Sequence, residues 1–322
     1  METAAGDVLW VTDAWIYIRD GNLICRIPLW AGEDQKETLD TKNAEYIILD
    51  ILYDATYDCS GFYAMDDSDI YYMNEEKKMI SYHIADGSKR EVKLSTDAQE
   101  MTFGDYCYVT DHNVFVISEH SLYCIHRDTL EAEKIDSCGR NEDYDNNFVY
   151  MKESGELYFT HSPDSNYYVR HDTELYVYDG NTTRCVVSGK EINDCLSEIW
   201  DMNKKSESVF TCFDLFTYNE KVYIEYAVGD ADTYTGYGML VYDRNGRLYE
   251  EETLAEQVKK HFNKKENYYY EVYAVQDDTM YFGVDEENSS IYSYNMKTGE
   301  MKKRREDALV PYRWYALSRM EF

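Results

Sequence analysis

An all-β chain, a β-propeller of four-stranded antiparallel blades, is predicted by three features of this sequence. A strand, turn and strand sentence, fullest at Glu174-Leu175-Tyr176-Val177-Tyr178-Asp179-Gly180-Asn181, recurs at 79–87, 122–129, 239–246 and 291–299, with a degenerate copy at 23–28. Around each copy, apolar and polar residues alternate in short runs punctuated by Asp, Asn and Gly, the pattern of strands joined by tight turns. The final stretch, 311–322, repeats the opening of the unit that begins near Tyr268, so it is a first strand with no unit behind it. Pairing that strand with the N-terminal unit would close a ring and remove the exposed sheet edges. Six blades are expected, seven being the alternative count, in a single domain spanning 1–322.

Taken in order, unit one runs from 8 to about 40, its strands separated by Asp13 and by Asp20-Gly21-Asn22. Unit two, about 46–94, is entered through Asp66-Asp67-Ser68-Asp69. Unit three, 101–135, is the most compact, with four strands around Asp111-His112-Asn113. Units four, five and six span about 148–187, 209–254 and 268–305. Between four and five, Ile192, Leu196, Ile199 and Trp200 stand at helical spacing; between five and six, Leu254, Val258, His261 and Phe262 do the same after a Thr cap. Two short inter-blade helices are therefore expected. Thirty-four tyrosines, many in Tyr-x-Tyr pairs, suit sheets whose rings pack while the hydroxyls reach a polar partner.

With 63 acidic against 32 basic residues, the chain carries a formal charge of −31, which opposes binding to nucleic acid or to an anionic membrane. Lys302-Lys303-Arg304-Arg305 is the concentrated exception, read as an outer edge strand guarded by charge. No apolar run is long enough to span a bilayer. The opening Met-Glu-Thr-Ala-Ala-Gly-Asp has neither region of a signal peptide. An extracellular or cell-surface location is expected if a leader has been removed, and a cytoplasmic one otherwise. Eight scattered cysteines include no Cys-x-x-Cys pair, so neither a metal site nor a cofactor is expected.

The units carry Ala14-Trp15-Ile16-Tyr17, Asp69-Ile70-Tyr71-Tyr72 and Glu174-Leu175-Tyr176. In these the chain resembles bacterial propellers of unknown function, similar to the low-density-lipoprotein-receptor-related type, whose blades repeat Trp-Ile-Tyr-Tyr, Leu-Tyr-Lys-Ile and Asp-Gly. The resemblance implies a propeller fold and a bacterial surface protein, and brings no catalytic residues with it.

In a four-stranded meander, the connections of strands one to two and three to four emerge at one end. Those of strands two to three, and of one unit to the next, emerge at the other. The first kind read as short throughout, and the second hold the large insertions. In unit four that insertion is 161–172, with Asp164, Tyr167, Tyr168, Arg170 and His171; in unit five it is 229–238, with Asp230, Asp232, Tyr234 and Tyr237. Tyrosines among Asp, Asn, His and Arg suit stacking and hydrogen bonding to a protein or a glycan, and function concentrates in such loops. No nucleophile elbow, phosphate loop or zinc-protease motif occurs. The expected role is thus a monomeric, non-catalytic binding or scaffolding propeller using the loop face over blades four and five. The alternatives are a glycan-active hydrolase or lyase with carboxylates in a central funnel, and a structural module of a surface assembly.

Overall fold

A computed structural model of the chain describes residues 7–11, 14–28, 44–56, 59–118, 121–137, 148–161, 173–200, 209–229, 234–249, 257, 260–261, 270–284 and 290–305. They belong to two compact units, Met1–Ser137 and Cys138–Phe322.

The first unit holds three meandering antiparallel sheets. Strands β1 (Asp7–Val11), β2 (Trp15–Asp20), β3 (Leu23–Pro28) and β4 (Glu45–Ile48) form the first. A small pair, β5 (Tyr53–Asp54) and β6 (Cys59–Ser60), leads to the second sheet, β7 (Phe62–Met65), β8 (Asp69–Met73), β9 (Met79–His83) and β10 (Lys89–Glu91). After β11 (Lys93–Leu94) comes the third: β12 (Gly104–Val109), β13 (Asn113–Ser118), β14 (Ser121–His126) and β15 (Glu131–Ser137). Here β11 adds a fifth, parallel strand on the outer edge of β15.

The second unit continues the pattern. Its first sheet is β16 (Phe148–Met151), β17 (Glu156–His161), β18 (Glu174–Tyr178) and β19 (Thr183–Val187). Helix α1 (Gly189–Trp200) follows. Then come β20 (Val209–Tyr218), β21 (Lys221–Gly229) and β22 (Tyr234–Asp243), and finally β23 (Tyr270–Gln276), β24 (Thr279–Val284), β25 (Ser290–Asn295) and β26 (Met301–Arg305). Among the described residues the chain is therefore mostly strand, in several meandering antiparallel sheets, as the recurrent sentence predicts.

Packing explains why these strands read as nearly continuous apolar runs. In β8, Ile70 and Tyr72 join a buried cluster with Tyr17, Ile24 and Ile48 of the first sheet, while Tyr71 and Met73 join another with Val114, Val116 and Tyr123 of the third. In β21, Val222, Ile224 and Tyr226 pack with Tyr158, Leu175 and Val177 of the fourth sheet, and Tyr223 packs with Phe282 and Tyr292 of the sixth. A sheet buried on both faces needs apolar residues at odd and even positions alike. Between neighbours, the same basic position recurs. Arg127, just after β14, donates to Asp66 at 2.7 Å and to Asp69, the first residue of β8, at 3.2 Å. Arg244, just after β22, reaches Glu156, the first residue of β17, at 2.9 Å.

Bulges repeat as well. In five of the six sheets the first strand slips by one residue against the second, as between Phe62 and Ala64 or between Val272 and Ala274. No composition signal marks them, because a bulge is a property of the pairing and not of either strand.

Several expectations need correction. Among the described residues the fifth sheet has three strands rather than four, with the bridge Tyr242–Leu248 after β22. The large insertions are not all at one end: 29–44 joins β3 to β4, the kind of connection expected to be short, and β4 lies beyond the expected close of unit one near 40. The closing strand expected over 311–322 lies outside the described residues. Of the helix expected over 253–265, only Gln257, Lys260 and His261 are described, and they are helical.

Helix α1 forms where its periodicity predicts, and Ile192 and Leu196 bury against the core of the fourth and fifth sheets. Its start is a reciprocal cap. The Ser188 amide and hydroxyl donate to Glu191 Oε2 at 2.9 and 2.7 Å, and the Glu191 amide points back to Ser188 Oγ at 3.4 Å. Ser188→Ala should therefore destabilise the protein by about 1 kcal/mol in urea unfolding; an unchanged midpoint would mean the helix is held by packing alone.

Candidate functional site

Within the second unit, the ends of the fifth and sixth sheets enclose a cleft of about 950 Å³. It lies at the end that carries the two-residue turns, and its walls are built from those turns. Tyr218 and Lys221 flank the turn Asn219-Glu220, while Asp277 and Asp278 form the turn between β23 and β24. Met296 and Lys297 open the turn after β25, and Glu153 comes from the β16–β17 turn. The floor is Tyr223, Met239, Val241, Met280 and Tyr294, all buried members of the cluster between these two sheets.

Hydrogen bonds tie the rim into one piece. Tyr218 Oη donates to Asp278 Oδ1 at 2.8 Å, Lys297 Nζ contacts Asp278 Oδ2 at 2.7 Å, and the Met296 amide donates to the Asp278 carbonyl at 2.8 Å. The last turn is shaped by Asn295, whose Oδ1 accepts the amides of Lys297 and Thr298. Lys297, by hydrogen bonding, and Tyr218 hold the Asp278 carboxyl below the usual carboxylate range. Burial, reinforced by the hydrogen bond to that carboxylate, pushes the Tyr218 phenol up to about 12. Asp278 thus stays ionised and Tyr218 protonated from mildly acidic to mildly alkaline conditions. On the other wall, Lys221 Nζ sits 4.3 Å from the centroid of the Tyr249 ring, a cation–π contact.

Chemically, the cleft combines an apolar floor with a charged rim. An apolar floor of tyrosine and methionine accepts side chains, methionine adapting to irregular shapes. The rim offers an anchored carboxylate and two lysines. The turn carrying one wall is strained, because Asn219 and Glu220 both have positive φ, 52° and 57°, the pattern of a type I′ hairpin. Asparagine suits the first position and glycine the second. Glu220→Gly should stabilise the protein by about 0.5–1 kcal/mol, relief of the left-handed glutamate outweighing the added unfolded-chain entropy. Thermal unfolding checks the sign.

Of the sequence-predicted binding residues, Asp164, Tyr167, Tyr168, Arg170, His171, Asp230 and Asp232 lie outside the described residues. Tyr234 and Tyr237 belong to strand β22, paired with Gly229 and Ala227, so the excursion expected over 229–238 narrows to 230–233. Gly238 lies opposite Tyr226 and leaves room for its ring: a Cβ built at 238 would overlap the ring and its hydroxyl. Reasoning from sequence missed Tyr218, Lys221, Asp278 and Lys297 because each stands beside a turn that reads as a mere connection.

No protein-family model matches this sequence, and neither does any curated protein. Among solved structures, the chain is similar to YCF48 bound to D1 peptide (TM-score 0.49, 9% identity, covering 94% of this chain and 81% of that one). It is also similar to the dihydro-heme d1 dehydrogenase NirN in complex with DHE (0.49, 10%, 91% and 55%) and to a chain of a nidogen/laminin complex (0.36, 11%, 89% and 90%). Such scores at such identities assign neither a family nor a ligand. Among the described residues, no helix is long and apolar enough to cross a membrane.

Proposed function

We propose that this chain is a binding module, a six-bladed propeller over 1–322 closed by its C-terminal strand, which captures an extended segment of a protein partner. Three observations support the blade reading: the meander order, the recurrence of bulges at equivalent positions, and the basic residue that joins one sheet to its predecessor at the same repeat position in both units. Small-angle scattering from the intact chain checks it, a flat ring being expected and an extended two-body profile counting against it.

The observation that carries the binding reading is the cleft between the fifth and sixth sheets, in which an apolar tyrosine and methionine floor is bordered by Lys221, Lys297 and Asp278. A floor for side chains beneath a rim of mixed charge fits a peptide better than a glycan, whose many hydroxyls call for more hydrogen-bonding groups along the floor. A second reading keeps the loop face over the fourth and fifth sheets. It is favoured by the registers His161↔Glu174 and Gly229↔Tyr234, which start and finish at the sheet ends the connections whose sequences carry Asp164, Tyr167, Tyr168, Arg170 and His171, and Asp230 and Asp232.

Selection from a random displayed-peptide library, with a glycan array in parallel, separates the two. Under the first reading, selected peptides lose binding when Met296→Glu and Lys297→Glu are introduced and keep it when Tyr167 and Tyr168 become serine. The reverse result moves the site to the loop face. Polysaccharide turnover abolished by one Asp or Glu substitution would replace binding with catalysis.

A further inference from the structure

The outer strand of the sixth sheet carries a concentration of positive charge at odds with the rest of the chain. Strand β26, Met-Lys-Lys-Arg-Arg, is last in the order β23-β24-β25-β26, and among the described residues no strand pairs with its outer edge. Its register places cations on both faces of the sheet. Lys302 lies opposite Ser293, whose hydroxyl also takes a 2.7 Å hydrogen bond from Arg304 Nε; Lys303 lies opposite Tyr292, with its ammonium 5.8 Å from that ring. Lys302 also meets Glu300 at 2.9 Å, with both side chains more than half exposed, so that pair is well screened.

Cations along an edge ordinarily repel other strands. The third sheet shows what this architecture does when charges match. There β11 adds to the outer edge of β15 as a fifth strand, with the Lys93 amide donating to Leu130 O at 2.8 Å and the Ser95 amide to Ala132 O at 2.9 Å. The added pairing is accompanied by a cross-strand contact of opposite charge, Lys93 to Glu131 at 3.8 Å. On β26 the polarity is inverted: the edge is basic, and the matching added strand must be acidic. A second copy pairing β26 with β26 would oppose like charges across the ladder.

The geometry points to β26 as a docking edge for an extended acidic segment of a partner protein, which adds as a fifth strand with carboxylates at every second position, on the face that carries Lys302 and Arg304. Main-chain hydrogen bonds supply the affinity and the charges supply the sign and register.

The test uses the full chain and a fluorescein-labelled octapeptide of alternating Glu and Val. Three comparisons accompany it: a Lys-Val counterpart, a Glu-Val peptide with two central residues changed to proline, and heparin. Saturable binding of the Glu-Val peptide alone is expected, weakening with salt and falling about tenfold or more in the Lys302→Glu, Arg304→Glu double variant. Lys302→Gln with Arg304→Gln should give an intermediate loss, far-UV circular dichroism showing that both variants fold. Equal binding of the proline peptide, an unaltered affinity in the folded variants, or binding of heparin without binding of the peptide would each overturn strand addition. So would self-association of the free chain that the double variant abolishes, which would assign the edge to a second copy.

Discussion

Replacing Arg127 with methionine will cost about 3 kcal/mol of folding stability, the loss expected when one partner of a buried ion pair is removed. The Arg127 side chain is 14% exposed and Asp69 only 10%, and the guanidinium also donates to the Thr110 carbonyl at 2.8 Å. Without it, Asp66 and one oxygen of Asp69 lose their cationic partner in a site largely cut off from water. The loss stays at the lower end because the other oxygen of Asp69 retains His83 at 3.3 Å and Arg90 at 3.5 Å. Adding Asp66→Asn to Arg127→Met should recover about 1 kcal/mol, a neutral amide needing no counter-charge.

The equivalent change in the other unit, Arg244→Met, should cost about 1 kcal/mol, because Arg244 is 41% exposed and water screens the pair. That smaller cost carries a pH signature. Burial raises the Glu156 carboxyl, but hydrogen bonds from Arg244 and Tyr158 more than offset it and leave the group below its ordinary value. A depressed folded value means the stabilisation is complete above the unfolded glutamate value near 4.3 and disappears as pH falls through the folded one. Urea titrations of both variants at pH 7 and pH 3 check the ranking and the sign. Equal costs for Arg127→Met and Arg244→Met would show that burial is not what sets them.

Gly246→Ala will cost about 2–4 kcal/mol, whereas Gly180→Ala and Gly299→Ala, in equivalent turns of neighbouring sheets, will cost about 1. All three have positive φ, +80°, +93° and +70°, so each alanine bears the same backbone strain. Only at 246 does space run out. A Cβ there would press on the Val186 carbonyl of β19, with Val186 Cγ1 at 3.4 Å, while nothing lies within 4 Å of the other two. The neighbouring backbone cannot yield easily, since Arg184 donates to the Arg244 carbonyl at 3.3 Å and the Asp243 carboxylate accepts the amides of Asn245 and Arg247. Guanidinium unfolding of the three variants under one set of conditions decides the matter, and equal losses would mean the turn and β19 separate freely.

These two predictions show where local reading stops. The repeat was legible because strand and turn are short-range events: Glu174-Leu175-Tyr176-Val177-Tyr178 alternates, Asp179 caps the turn through the amides of Asn181 and Thr182, and Gly180 takes the left-handed position. The amphipathic run of α1 was legible for the same reason, its buried Ile192 and Leu196 standing four apart. The connection 29–44 was misplaced because Glu45-Tyr46-Ile47-Ile48 offers the same strand signal wherever it pairs, and Tyr234 was given to a loop although, as part of β22, it pairs with Gly229.

By itself, then, the order of residues determined the alternation of strands and turns and the meandering of the antiparallel sheets, each of which depends on neighbours a few positions apart. Tertiary structure alone decided which turn meets which. Tyr218 and Asp278 share a hydrogen bond across 60 residues, Arg127 and Asp69 an ion pair across 58, and the cleft exists only where two sheets end side by side. Such meetings are set by the stacking of buried faces, and a face is made by every second residue of several strands at once, a pattern that no single stretch of chain contains.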